Sequence, residues 1–404
     1  MFKTSSSDRT PMQRLLAAWL IVLQVLSPVL YAGNARAQVN NPAINPDRSV
    51  PGQRPVVNVA ANGVPVVQIS PPSAAGVSNN RFTDYNVGDK GVVLNNSGAN
   101  NQTQLGGWVA GNPMLGNSSA RVILNQVTGA TSSSLTGFTE VAGNQANVIV
   151  ANPNGITCNG CGFINAPRAT LTTGTPQLGT DGSVLGFQVQ GGQIGIEGKG
   201  LVARNVDQVD LISRSLRVNA EVWAGNLLNV VTGTGQVGYE SGQVTAQSAS
   251  DAPPAVSLDV SQLGGMYANS IRLIGTENGV GVNSAGKIEA LTGTLEINQA
   301  GDVRITDGHV QTAGDLAMRS GQDIVNAGVV YALGKAGFEA QGTLQNAGTL
   351  GAAGDVKGQV GSLQNSGDIR AGADTDGKIT SPNDVSITAS GALQNSGQIL
   401  AGNN

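Results

Sequence analysis

From residue 64 onward the chain alternates short β-branched and aliphatic runs with stretches rich in Asn and Gly. Val66-Val67-Gln68-Ile69, Val92-Val93-Leu94 and Val122-Ile123-Leu124 are three of these runs, each closed by turn-forming residues. Beyond residue 37 no segment keeps a helical period for more than a few positions. Short strands at even spacing, bounded by turn residues, predict an all-β array. Residues 38–60, rich in Asn, Pro and Val, read as an extended lead-in to it.

Toward the carboxy terminus the pattern becomes a repeat. Ile324-Val325-Asn326-Ala327-Gly328-Val329-Val330 recurs at 344–350, 363–369 and 393–399, with its Asn at 326, 346, 365 and 395. Weaker copies stand at 282–288 and 297–303. The main spacings are 20, 19 and 30 residues, and the last fits one coil with an insertion around Ser381-Pro382-Asn383-Asp384. A period near twenty is too short for a two-helix repeat and fits one turn of a parallel β-helix. A propeller needs roughly forty residues per blade and more aromatics, and a leucine-rich repeat needs denser Leu. The aliphatic residues flanking each Asn-x-Gly are expected inside, with Asn-x-Gly at a corner and its Gly at φ > 0. Asn side chains are then placed to bond to one another up the stack. The 367 residues after position 37, at roughly 20 per coil and about 4.8 Å per step, give about 18 coils and on the order of 85 Å, less whatever loops consume.

Composition changes the picture at three points. Lys3, Arg9 and Arg14 precede an apolar run at 15–30, and Ala35-Arg36-Ala37 supplies small residues for cleavage between Ala37 and Gln38, as in a secretory signal. The run holds Gln24, Ser27 and Pro28 and falls short of the roughly 20 apolar residues of a membrane span. Removing residues 1–37 takes away Lys3, Arg9, Arg14, Arg36 and Asp8, leaving 18 basic against 25 acidic residues and a net charge of −7. These charges are scattered with no basic stripe, which argues against nucleic acid as a partner. Finally, 12% charged and 3% aromatic residues beside 57 Gly suit neither a solvated disordered chain nor a dense conventional core. They suit a thin, elongated stack of strands.

One segment stands apart. Asn152-Pro153-Asn154-Gly155 is followed three residues on by Cys158 and Cys161, all set between short β-branched runs. Pro fixes its own φ while Asn and Gly tolerate φ > 0, so the four residues read as a chain reversal. The arrangement has the character of a recognition device rather than a catalytic one. Ahead of it, in order, come 63–69, 76–82, 85–96, 105–115 with Asn112-Pro113-Met114-Leu115, and 120–127. Together these motifs resemble the amino-terminal secretion domain of the two-partner-secreted exoproteins, the filamentous haemagglutinin and contact-dependent growth inhibition family. The similarity is dense over 60–170 and looser to 290. Two positions depart from the family pattern: Met114 stands where a second Asn is usual, and Asn79 where His often stands.

The resemblance implies a right-handed parallel β-helix with extra-helical hairpins near the N-terminus. Its implied partners are the general secretion machinery and a dedicated outer-membrane transporter with periplasmic domains. Asn112, Pro113, Met114, Leu115, Asn152, Pro153, Asn154 and Gly155 are the residues it links with folding of the domain and recognition by that transporter.

Other candidate chemistry is open to competing readings. A secreted chain meets an oxidising compartment, which favours a Cys158–Cys161 disulfide over free thiols or a redox or metal pair. A thioredoxin-type motif would open a helix, and zinc would need two further ligands where the chain has only His309. His309 alone reads as a surface residue. Asp207, Asp210, Asp302, Asp307, Asp315 and Asp323 are the acids available to a β-helix lyase or glycosidase, but contexts such as Gly301-Asp302 and Gly314-Asp315 are ordinary corners. Trp108, Trp223 and Tyr267 either stack on a ligand or pack under hairpins and coil ends. Nothing here asks for a cofactor or a metal.

The expected organisation is a signal peptide at 1–37, a secretion domain at 38–290 and haemagglutinin-type repeats at 291–404. An end straight after a repeat, without a polar cap, reads as a fragment of a longer exoprotein. The expected function is non-enzymatic: a secreted or surface-bound adhesin, or the stalk of a contact-dependent inhibitor, of a Gram-negative bacterium. Receptors on host or neighbouring cells would be its later partners. A cytolysin exported by the same route is the runner-up, and a β-helix polysaccharide-degrading enzyme the alternative from another class.

Overall fold

A single coil shows how the alternation folds. Leu295–Gln299 buries Leu295 and Ile297 and turns Glu296 and Asn298 outward. A corner leads to Val303–Ile305, a second to His309–Thr312, and a third to Leu316–Ser320, where the next coil begins. Successive coils then stack in register. Leu295, Leu316, Ala336 and Val356 form one stack, each beside the next; Val303, Ile324, Leu344 and Leu363 form a second, and Val310, Val330, Leu350 and Ile369 a third. Each buried aliphatic side chain is thus shared between coils and contributes about 1.5–3 kcal/mol.

The computed structural model describes residues 43–49, 54–249, 251–279 and 281–403. The signal segment and the Ala37–Gln38 junction lie outside them. All the described elements are strands, and the architecture is the expected parallel β-helix, with three parallel faces around one core. Coils on either side of residue 290 stack without a break. At the first coils the sheet edges are covered by antiparallel strands: Ile44–Pro46 on Val77–Tyr85, and Val56–Val59 on Pro65–Gln68. Such capping removes a ready template for aggregation.

The rod is shorter than 85 Å. One face has fourteen strands, Val56–Val59 being its antiparallel cap. Twelve steps of about 4.8 Å between the other thirteen span about 58 Å. The missing length lies in residues that leave the coil. A small hairpin, Asn101–Thr103 with Gly107–Val109, is extra-helical near the N-terminus as expected. A second feature lies further along and is larger. Thr175–Leu178 and Val184–Val189 join Gly235–Gly238 and Val244–Ala246, from a distant insertion, in a four-stranded antiparallel sheet. Its Phe187, Val189, Val237 and Tyr239 pack on outward-facing Leu124, Ile149, Ile212 and Val231 of the rod.

In the repeats the Asn residues form a ladder. Asn326, Asn346 and Asn365 each donate through Nδ2 to Oδ1 of the next Asn, at 2.8, 2.8 and 2.7 Å, ending on Asn395. The flanking aliphatics are buried from Ile324 to Ile369; Leu393 and Ile399, in the last coil, are exposed. One expectation fails. The left-handed glycines do not include Gly328, Gly348, Gly367 or Gly397. Glycine is required there because a Cβ would strike the carbonyl oxygen of the preceding coil, that of Gly308, Gly328, Gly348 or Gly367 respectively. The long spacing contains an insertion at 372–384, where Asn383 Nδ2 donates to Ala353 O (3.0 Å).

Candidate functional site

Asn147–Ala151 lies between Val122–Val127 and Arg168–Thr172 on one face, and its last residue delivers Asn152 to a corner. There the Asn152 side chain is fully buried. Its Nδ2 donates to Thr131 O (3.0 Å) and Ser133 Oγ (2.9 Å), both in the preceding coil. Its Oδ1 accepts from Asn154 N (3.0 Å), and its carbonyl from Gly155 N (3.1 Å). Its own N–H reaches forward to Thr172 O (2.9 Å). One residue therefore ties three coils together. Gly155 has φ +112°, and a Cβ there would press on Gln193 O.

Asn112 repeats this geometry forty residues earlier. Nδ2 donates to Ile69 O (2.9 Å) and Asn95 O (3.1 Å), Oδ1 accepts from Met114 N (3.0 Å), and the carbonyl accepts from Leu115 N (3.2 Å). Both motifs are turns closed by a buried carboxamide. At the third position Met114 supplies the same backbone N–H as Asn154, but not the further Asn154 Nδ2 bond to Asn152 Oδ1 (3.1 Å). It needs no left-handed conformation, since Asn165 is the one non-glycine among the described residues with positive φ. Asn154 adds something Met114 lacks: its Nδ2 donates to Gly129 O (2.8 Å). Of the eight motif residues, Asn112, Leu115, Asn152 and Gly155 are buried, Met114 is half-buried, and Pro113, Pro153 and Asn154 are exposed.

The same device recurs where no motif marks it. Asn96 accepts from Ala120 N (2.7 Å) and donates to Ala120 O and Asn144 O (2.9 Å each). Asn165 donates to Val141 O (2.9 Å) and Gly143 O (3.0 Å). Glu140, buried, accepts from Gln104 N and Leu105 N at 2.7 Å each and so anchors the turn of the small hairpin. A lone Asn or Glu in an Asn-rich chain carries no signal that would have singled these out.

Cys158 and Cys161 close a disulfide across the Asn159-Gly160 corner, with Cα atoms 5.4 Å apart and both side chains buried in the core. It lies on the coil that starts at Asn152, so the corner after the turn is covalently fixed. The aspartates do not converge. Asp302, Asp315 and Asp323 each accept the backbone N–H of a residue in the next coil, namely Asp323, Lys335 and Thr343. Asp210 is buried and accepts from Arg168 Nε (2.7 Å), Thr170, Gln208 and Asn229. His309 bonds to Gln311 Oε1 (2.8 Å). Trp223 and Tyr267 stack on each other at 4.2 Å, with Arg204 over the indole, so their faces are occupied. Trp108, on the small hairpin, is 74% exposed.

The model of the TPS secretion domain aligns with residues 43–305. This chain belongs to that family. It is 49% identical over 294 residues to the Toxin CdiA of Yersinia pestis, covering 72% of this chain and 9% of that protein. It is 46% identical over 293 residues to the 16S rRNA endonuclease CdiA of Enterobacter cloacae subsp. cloacae, with 72% and 8% covered. The chain therefore spans less than a tenth of the length of these relatives. Among solved structures, the filamentous hemagglutinin secretion domain superposes with a TM-score of 0.59 at 26% identity, covering 88% of this chain and all of that one. The β-helix is thus that of a TPS secretion domain.

Proposed function

We propose that this chain is the non-catalytic export module of an exoprotein that reaches the cell surface or medium through a dedicated outer-membrane transporter. The supporting observation is the shared geometry of Asn112 and Asn152 within the family-matched region. Folded, both carboxamides are buried and unavailable to any partner. A transporter that reads them must therefore meet the chain unfolded, and their work afterwards is to lock corners as the chain emerges.

In this reading residues 1–37 engage the general secretion machinery, and strand-forming segments over 60–170 pair with the transporter's periplasmic domains by β-augmentation. The capped first coils fold on the far side, the Cys158–Cys161 loop is small enough to pass, and each later coil adds to an existing template. Residues 38–290 carry the export signal and 291–404 extend a stalk. The CdiA relatives favour a contact-dependent inhibitor stalk over a free adhesin or cytolysin, with receptors on neighbouring cells.

Export of the chain is to be compared with and without its cognate transporter, for wild type and Asn152→Ala. Wild type is expected in the medium only with the transporter, and the variant at reduced yield. Export indifferent to the transporter would sink the proposal.

A further inference from the structure

Cys158 and Cys161 sit where only an uncovered coil leaves them within reach. Their side chains are 0% and 1% exposed and belong to the apolar core of the rod, although Asn159 at the corner between them is exposed. Cys158 lies between Leu135 of the preceding coil and Ile196 of the next, and Cys161 lies beside Leu201. The covering coil is fastened directly onto this corner. Glu197 N donates to Cys158 O (2.8 Å), Gly160 N to Gly200 O (2.8 Å) and Lys199 N to Asn159 Oδ1 (3.0 Å). The turn that carries Lys199 closes on itself, Gly200 N donating to Glu197 O (2.9 Å), with Gly198 and Gly200 at φ +53° and +73°.

A disulfide forms by exchange. A thiolate attacks one sulfur of an oxidised partner, and a mixed disulfide joins the two molecules until the second thiolate displaces the partner. Both steps require a foreign sulfur, with the molecule behind it, to reach Cys158 or Cys161. In the stacked rod Leu135, Ile196 and Leu201 flank the pair on both sides, and the sulfurs are buried between them.

We propose that Cys158 and Cys161 are oxidised on the unfolded chain, before Gln193–Ile196 and Leu201–Ala203 stack on them, by a dithiol oxidant protein of the periplasm. The chain thus has a redox partner that it meets ahead of its transporter, a placement that rests on the export reading above. The new Cys158–Cys161 bond replaces the oxidant's own S–S bond, and the two thiol protons end on the oxidant's two sulfurs. A chain that stacks while reduced keeps two buried thiols that no protein oxidant reaches. One that stacks oxidised is shielded from reductants.

The order of events is tested on purified chain, reduced in urea and refolded without oxidant. At equal oxidised glutathione, alkylatable thiols should disappear about a hundredfold more slowly from the refolded chain than from the chain in urea. A reduced chain that never becomes protease-resistant would show that stacking waits for the bond, which supports the same order. Equal rates from a protease-resistant reduced chain overturn it. In cells, thiols are trapped with acid and a maleimide, in strains lacking the transporter or the periplasmic thiol oxidant. The pair should be protected without the transporter and labelled without the oxidant. Labelling in the first strain puts oxidation after export, and protection in the second removes the partner; either result overturns the proposal. Export that ignores the transporter, with the thiols still reactive only in the unfolded chain, would instead sink the export reading alone.

Discussion

At the scale of single residues, the asparagine carboxamide does what a glycine or proline cannot: it donates and accepts at once, and so closes a turn while bonding to the coil beside it. Replacing Asn152 by Ala strands the buried Ser133 Oγ together with Thr131 O and the Asn154 N–H, which are part-buried. The expected cost is about 1–3 kcal/mol, read as a lower urea midpoint. Asn112→Ala should cost a similar amount, since it strands Ile69 O, Asn95 O and Met114 N. If either variant unfolds at the wild-type midpoint, the turns are not held by these amides. Asn-Pro-Asn-Gly was legible as a turn because proline and glycine restrict φ directly. The burial of the Asn side chains was not legible, because it depends on carbonyls twenty to forty residues away.

At the scale of elements, two polar arrangements set the stacking. The Asn ladder is neutral and repeats with the coil, so its period could be read from spacing alone. Asn346→Leu removes a donor to Asn365 and an acceptor for Asn326. It should cost about 1–3 kcal/mol and speed amide exchange in both neighbouring coils. Gln345→Leu, one residue away and facing out, should do neither. The other arrangement, Arg168 with Asp210, ties the rod to the extra-helical sheet, for Arg168 also donates to Tyr239 O (2.8 Å). Asp210→Ala leaves a part-buried guanidinium with only the exposed Glu240 carboxylate, at 4.0 Å, and should cost roughly 3–5 kcal/mol; adding Arg168→Met should recover part of it. Additive effects in that double variant would show the pair to be uncoupled. Nothing in the sequence announced this sheet, because its halves are separated by two coils and neither has a repeat.

For the whole molecule, periodicity disclosed the solenoid and overestimated its length, since a constant residue count per coil ignores insertions that leave the rod. The corner glycines likewise followed from repetition, although the reason for them is the close approach of the preceding coil rather than a left-handed φ. In the repeats the neutral Asn ladder works beside carboxylates such as Asp323, which accepts the Thr343 N–H of the next coil. Carboxylates also hold the cap at the other end. Asp47 accepts from Ser49 N (2.8 Å) and Thr128 Oγ1 (2.8 Å) and lies 3.6 Å from Arg81 Nε. The hydroxyl and N–H of Ser49, then the Thr128 hydroxyl, lower its pKa from 3.8 to about 2. Asp84 is lowered as well, chiefly by Thr131 and then Asn45. A carboxyl whose folded pKa is depressed stabilises the fold fully above its unfolded value and loses that contribution as pH falls through the folded one. The cap should therefore weaken between pH 4 and pH 2, a window bounded by the unfolded and folded values for Asp47. Urea midpoints of wild type and Asp47→Asn, compared across that window, should differ at its upper end and converge at its lower end. A difference that persists unchanged down to the lower end would mean that the Asp47 charge does not hold the cap.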